Sequence, residues 1–260
     1  MTGKALSQLA SMNTLEDAYS VRDFFRIAIK FLERHPPNHS LPQAAVLSNG
    51  GVAEAVYNIF LEETNDVSVP MDAALKAWFQ GLQKTGIEGN NSSSSSHPQV
   101  LAASKYLEAG IQANLAWGVL NYEQDRSDRL IKASDYAKKA LAVYDTTDDT
   151  VLGKEGLPRV LSIVASCYHQ ADSAVTAEGL FQSAIDRNSL AGANSTLTLL
   201  QIREAYLEYA KLCSQWEKRE GDAKKLTEEA NAINESLPPN WQGKSGLYGS
   251  LWFWTPGEML

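Results

Sequence analysis

Four histidines, two cysteines and scattered carboxylates are the side chains through which this sequence could do chemistry. The histidines are His35, His39, His97 and His169. His35 and His39 have the spacing of a helical metal pair. Pro36-Pro37 between them forbids the helix that would put both on one face. Cys167 and His169 are two apart on a helical stretch, so they point apart and form no nucleophile–base pair. Asp148-Asp149 and Glu228-Glu229 read as solvated loop and helix faces. There is no phosphate-binding loop, no glycine-rich dinucleotide fingerprint and no His-Glu-x-x-His helix. No catalytic residue, metal site or cofactor is therefore expected. The alternative left open is an enzyme on a helical scaffold, with a site assembled from distant residues.

Composition narrows the partners. A net charge of −8 repels phosphate backbones, and no dense Lys/Arg cluster offsets it, so nucleic acid is not an expected ligand. Cys167 and Cys213 both fall on or beside apolar helix faces, which predicts buried free thiols rather than a disulfide framework or zinc site. No apolar run reaches the ~18–20 residues of a membrane span. The sequons at Asn91 and Asn194 carry no meaning without a secretion signal. An intracellular, cytoplasmic chain is expected, or one in an organelle lumen or matrix if a targeting segment was removed.

The elements that must position these residues are helices. Val21, Phe24, Phe25, Ile27, Ala28, Phe31 and Leu32 make a wide apolar stripe beginning near Thr14 and ending at Pro36-Pro37. A second helix is expected from about Pro42 to Glu63, with Gly50-Gly51 weakening or splitting its middle. A third starts near Pro70 and carries Ala73, Ala74, Ala77, Trp78 and Leu82. Gly86 to Pro98, with five serines at 92–96, reads as a flexible linker. Helices follow over Gln99 to Tyr122 and around Ala133 to Tyr144, then two pairs between Leu161 and Ile233. No segment alternates as a strand does. The chain is expected to divide into an N-terminal helical region (1–88), the linker (89–98), repeats (99–237) and a tail (238–260).

Leu161, Val164, Ala165 and Tyr168 share one helical face, and Ala177, Phe181, Ala184 and Ile185 share another. Tyr206, Tyr209, Ala210 and Cys213 repeat the first pattern, and Ala223 and Ala230 part of the second. These small-and-large sets resemble both halves of the tetratricopeptide repeat. Ala133 to Ala177 is 44 residues and Ala177 to Ala223 is 46, against a family period of ~34, so the repeats are long ones. The resemblance implies an all-α solenoid of helical hairpins, a right-handed superhelix whose groove is lined by the first helix of each pair. It places Arg159, Ser162, Ser166 and His169, then Glu204, Leu207, Lys211 and Ser214, along that groove. It further implies a non-enzymatic protein-binding scaffold: an adaptor, an assembly factor or a subunit of a larger complex. The Lys/Arg/Asn clamp by which some members hold acidic chaperone tails is absent here.

The C-terminus carries Trp241 and the run Gly246 to Trp254. Such aromatics need a cover. Three readings compete: a cap over the last helix pair, an anchor for a partner protein through Trp252, Phe253 and Trp254, or a peripheral contact with a membrane interface. Deleting residues 244–260 is expected to lower the thermal midpoint measurably in a melting scan. An unchanged melt with lost partner binding would select the anchor.

Overall fold

The computed structural model describes residues 15–35, 40–65, 71–91, 98–122, 126–146, 151–190, 196–237, 239 and 242. The serines 92–96, His39, His97 and the aromatic residues Trp241, Trp252, Phe253 and Trp254 lie outside the described residues. Every regular element among the described residues is an α-helix, in keeping with the periodicities. Contacts divide the chain into two compact units after Tyr122. Within each, successive helices pack on one another as in a helical repeat solenoid.

The first unit holds α1 (Leu15–Arg34), α2 (Ser40–Asn65), α3 (Asp72–Asn91) and α4 (Pro98–Tyr122). Its organising side chain is Trp78 of α3, which is fully buried. A Cβ on Gly51 of α2 would sit 2.4 Å from the indole nitrogen, and one on Gly118 of α4 would sit 2.9 Å from the ring's far edge. The indole thus occupies the room that two missing side chains leave. Its N–H donates to the Ser48 carbonyl of α2 at 3.1 Å. This explains why α2 runs unbroken through Gly50-Gly51, contrary to the expected weak point: the glycines' poor helical preference is offset by the packing they permit. It also explains why α4, expected to belong with the repeats that follow, packs on α3 and α2. α3 continues to Asn91, past the expected linker start, because extending a formed helix costs little per residue.

The second unit holds α5 (Arg126–Asp145), α6 (Val151–Gln170), α7 (Ala174–Leu190), α8 (Thr196–Ser214) and α9 (Glu220–Ser236). The same device recurs. A Cβ on Gly156 of α6 would lie 2.3 Å from the Tyr144 ring of α5, so these helices touch through a ring on a bare backbone. Further along, Phe181 of α7 is fully buried with Ala165, Ala177 and Ala205, and its ring stacks on Tyr209 of α8 at 6.1 Å and 16°. The stripes Leu161-Val164-Ala165 and Ala177-Phe181-Ala184-Ile185 therefore face inward as expected. The long spacing between equivalent alanines follows from helix length, 20 residues in α6 and 17 in α7.

Between α6 and α7 the chain reverses in three residues. Asp172 takes a left-handed φ of 56°. Its N–H donates to the His169 carbonyl, and the Ser173 N–H donates to the Tyr168 carbonyl, the paired bonds of a Schellman ending. The turn fixes where α6 stops and so how α7 folds back on it.

Two glycines separate packing from propensity. A methyl group on Gly179 of α7 would have nothing within 4 Å. Gly179→Ala is expected to stabilise by ~0.5–1 kcal/mol through helical preference. Gly51→Ala gains the same preference but must displace a buried indole, and a net loss of ~1–2 kcal/mol is expected. Urea unfolding of both variants measures this; equal stabilisation by the two would refute the Trp78 seat.

Candidate functional site

The expected groove residues lie on α6 and α8, which touch each other directly as well as through α7. Ser162, Ser166 and His169 are one stripe of α6, at i, i+4 and i+7, and each is partly exposed. Glu204 and Leu207 of α8 are partly exposed, and Lys211 and Ser214 are exposed. Opposite these stripes the same helices bury Ala165, Ala205 and Tyr209. Each helix therefore has one face committed to the core and one partly exposed.

Arg159 departs from the expectation that it faces outward. It is only 2% exposed. It lies one turn beyond Gly156, where the Tyr144 ring draws α5 onto α6, so this end of the stripe is closed. Burial pulls its pKa down to about 10, with Tyr144 acting in the opposite direction. It remains a cation at neutral pH, held inside the unit. Helical spacing correctly puts Arg159 in line with Ser162, but it cannot say where along that line a neighbouring helix lies.

The charges on α8 are coupled. Burial, reinforced by Glu208, raises the Glu204 carboxyl to about 7 against the opposing pull of Lys211 and Arg203. Partial desolvation opposes the Lys211 cation, yet its hydrogen bond and charge contact with Glu208, and the nearby Glu204, carry its pKa upward. Lys211 and Glu208 form an ion pair one turn apart. The stripe thus carries little net charge near neutrality.

A second constellation was not legible in the sequence. Arg219, in the turn before α9, donates to Glu178 of α7 and, at 2.7 Å, to Asp222 of α9. The Tyr209 hydroxyl of α8 donates to the same Glu178 at 2.7 Å. Glu178 and Arg219 are 41 residues apart, and no local pattern couples them. The Arg219 hydrogen bond, aided by Tyr209, holds Glu178 below the usual carboxylate range. Burial and that same carboxylate push Tyr209 up to about 12. Glu178 is thereby kept ionised and Tyr209 protonated at neutral pH, so the group is a brace across three helices rather than a poised acid–base pair. Beside it lies a cleft of about 270 Å³ with Ile185, Leu226, Tyr206 and Lys225 in its walls.

Both cysteines are free and buried, as expected. Burial raises Cys167 to about 12, with Lys138 opposing, and it raises Cys213 as well. Among the described residues no three His, Cys, Asp or Glu side chains gather as metal ligands. Among the same residues no helix is long and apolar enough to cross a membrane. No protein-family model, curated protein or solved structure gives a significant match to this chain.

Glu204 supplies a pH test. Its folded pKa lies above the ordinary 4.5, so the stability it contributes is complete below 4.5 and is lost as pH rises through about 7. Glu204→Gln should melt with wild type at about pH 4.5 and ~2–4 °C above it at about pH 8.5. A difference that is constant with pH, or reversed, would contradict the desolvation of this carboxyl.

Proposed function

We propose that this chain is a non-enzymatic helical-repeat scaffold of the tetratricopeptide kind. It would hold a helix or peptide of a partner protein along the outward stripes of α6 and α8. The observation that carries the reading is the two-faced construction of these helices. Phe181 locks their inner faces between alanines, as the repeat's small-and-large pattern requires. The outer faces retain Ser162, Ser166, His169, Leu207, Lys211 and Ser214 at the surface. Preformed grooves of this type recognise a helix or an extended segment with little reorganisation of their own.

The chemistry of the stripes defines the partner. With Arg159 withdrawn into the interior, Lys211 and His169 are the basic side chains left on these stripes. An acidic tail would find too few donors there. Small serines beside Leu207 suit a close-packed helix with small or apolar side chains on its contact face. Such a scaffold works as an adaptor, an assembly factor or a subunit of a larger complex.

A photoreactive benzoyl-phenylalanine placed at Ser166 or at Leu207 is expected to yield discrete protein adducts in cells. The same probe at Val175, which is 82% exposed at the start of α7, should yield none. Adducts confined to Val175, or adducts at all three positions alike, would rule out the stripe as the docking face.

A further inference from the structure

The wide apolar stripe of α1 is divided by the fold. Ala18, Val21 and Phe25 are buried against α2. Arg22 lies over the Tyr57 ring at 3.7 Å and over the Tyr19 ring at 4.7 Å. Arg26 forks onto the buried Glu54 carboxylate, with its Nη2 3.0 Å from Oε2. These contacts fix which side of α1 meets α2. The other side presents Ile27 at 68% and Phe31 at 59% exposure, with Phe24 partly exposed beside them. Residues 24, 27 and 31 are three and then four apart, the spacing of a two-helix seam.

Charge is arranged along the helix with opposite signs at its two ends. Glu16, Asp17 and Asp23 lie N-terminal to the apolar seam or at its start, and Lys30 and Arg34 at its end; Glu33, also at that end, lies away from the seam, beside Ile29 and Leu32. The same polarity complements the helix macrodipole. The macrodipole does not account for two large apolar side chains left in water between the charges.

We infer that α1 is a self-association helix, packing antiparallel on α1 of a second copy of this chain. An antiparallel partner centred near Ile27 sets Phe24 of one copy against Phe31 of the other. It brings Asp23 beside Lys30 and leaves Glu16 and Asp17 within about one helical turn of Arg34. Each contact occurs twice, as a two-fold interface requires. A second copy carries the complementary charge order by construction; a parallel partner would place like charges together. A 20-residue helix is ~30 Å long. A seam of that length falls at the small end of specific interfaces, so the dimer should be weak and concentration-dependent.

Sedimentation velocity on the full chain, from about 1 to 200 μM, tests this. A reversible monomer–dimer equilibrium is expected. Ile27→Asp with Phe31→Asp should abolish it while leaving the far-UV circular dichroism and melting midpoint unchanged, since both residues are exposed. Asp17→Lys with Asp23→Lys, and separately Lys30→Glu with Arg34→Glu, should each weaken self-association at least tenfold. Mixing these two charge variants should restore a dimer containing one of each. A chain that stays monomeric throughout overturns the inference. So does a dimer that survives Ile27→Asp with Phe31→Asp, or one insensitive to the charge variants. A melting midpoint lowered by the aspartates in a monomeric chain would show instead that another part of the same chain covers the seam.

Discussion

A large ring resting where a neighbouring helix has almost no side chain is the contact on which both units depend. Trp78 lies against Gly51 and Gly118. Tyr144 lies against Gly156. Phe181 lies among Ala165, Ala177 and Ala205. Each arrangement lets two helix backbones approach while one rigid aromatic fills the remaining space, so spacing and register are set together. Such a contact tolerates little change from either side, because a methyl on the small partner overfills it and a smaller ring leaves a void.

Charges are placed to support this packing. Arg22 is covered by two tyrosine rings, Arg203 donates to Asn234 at 2.7 Å, and Arg159 lies inside the second unit. Burying a guanidinium is costly unless its surroundings compensate, and these three sit near rings or hydrogen-bonding partners from other helices. The Arg219 brace joins α7, α8 and α9 in the same way.

The helical character of the chain and the inward stripes of the second unit were legible because they are local. A period of 3.6 needs only neighbouring residues, and Ala165, Ala177 and Phe181 declare their faces within one or two turns. What depends on distant residues was not legible. Gly51 looks like a flaw until Trp78, 27 positions later, fills its place. Arg159 has the spacing of a surface residue, and only the α5–α6 approach at Gly156 encloses it. Arg219 and Glu178 carry no mutual signal at all. The division of contacts after Tyr122 likewise rests on distant residues. It follows from where α4 finds its glycine-seated partner.

The two thiols give the packing a chemical meaning. With Cys167 and Cys213 enclosed and their acidity suppressed, an oxidant or alkylating reagent meets no thiolate while the helices stay stacked. A reagent reaches either sulfur when the layers part, as local opening allows. The molecule would therefore convert an oxidative insult into a question of mechanical integrity: sulfur chemistry begins only after the stack has already come undone.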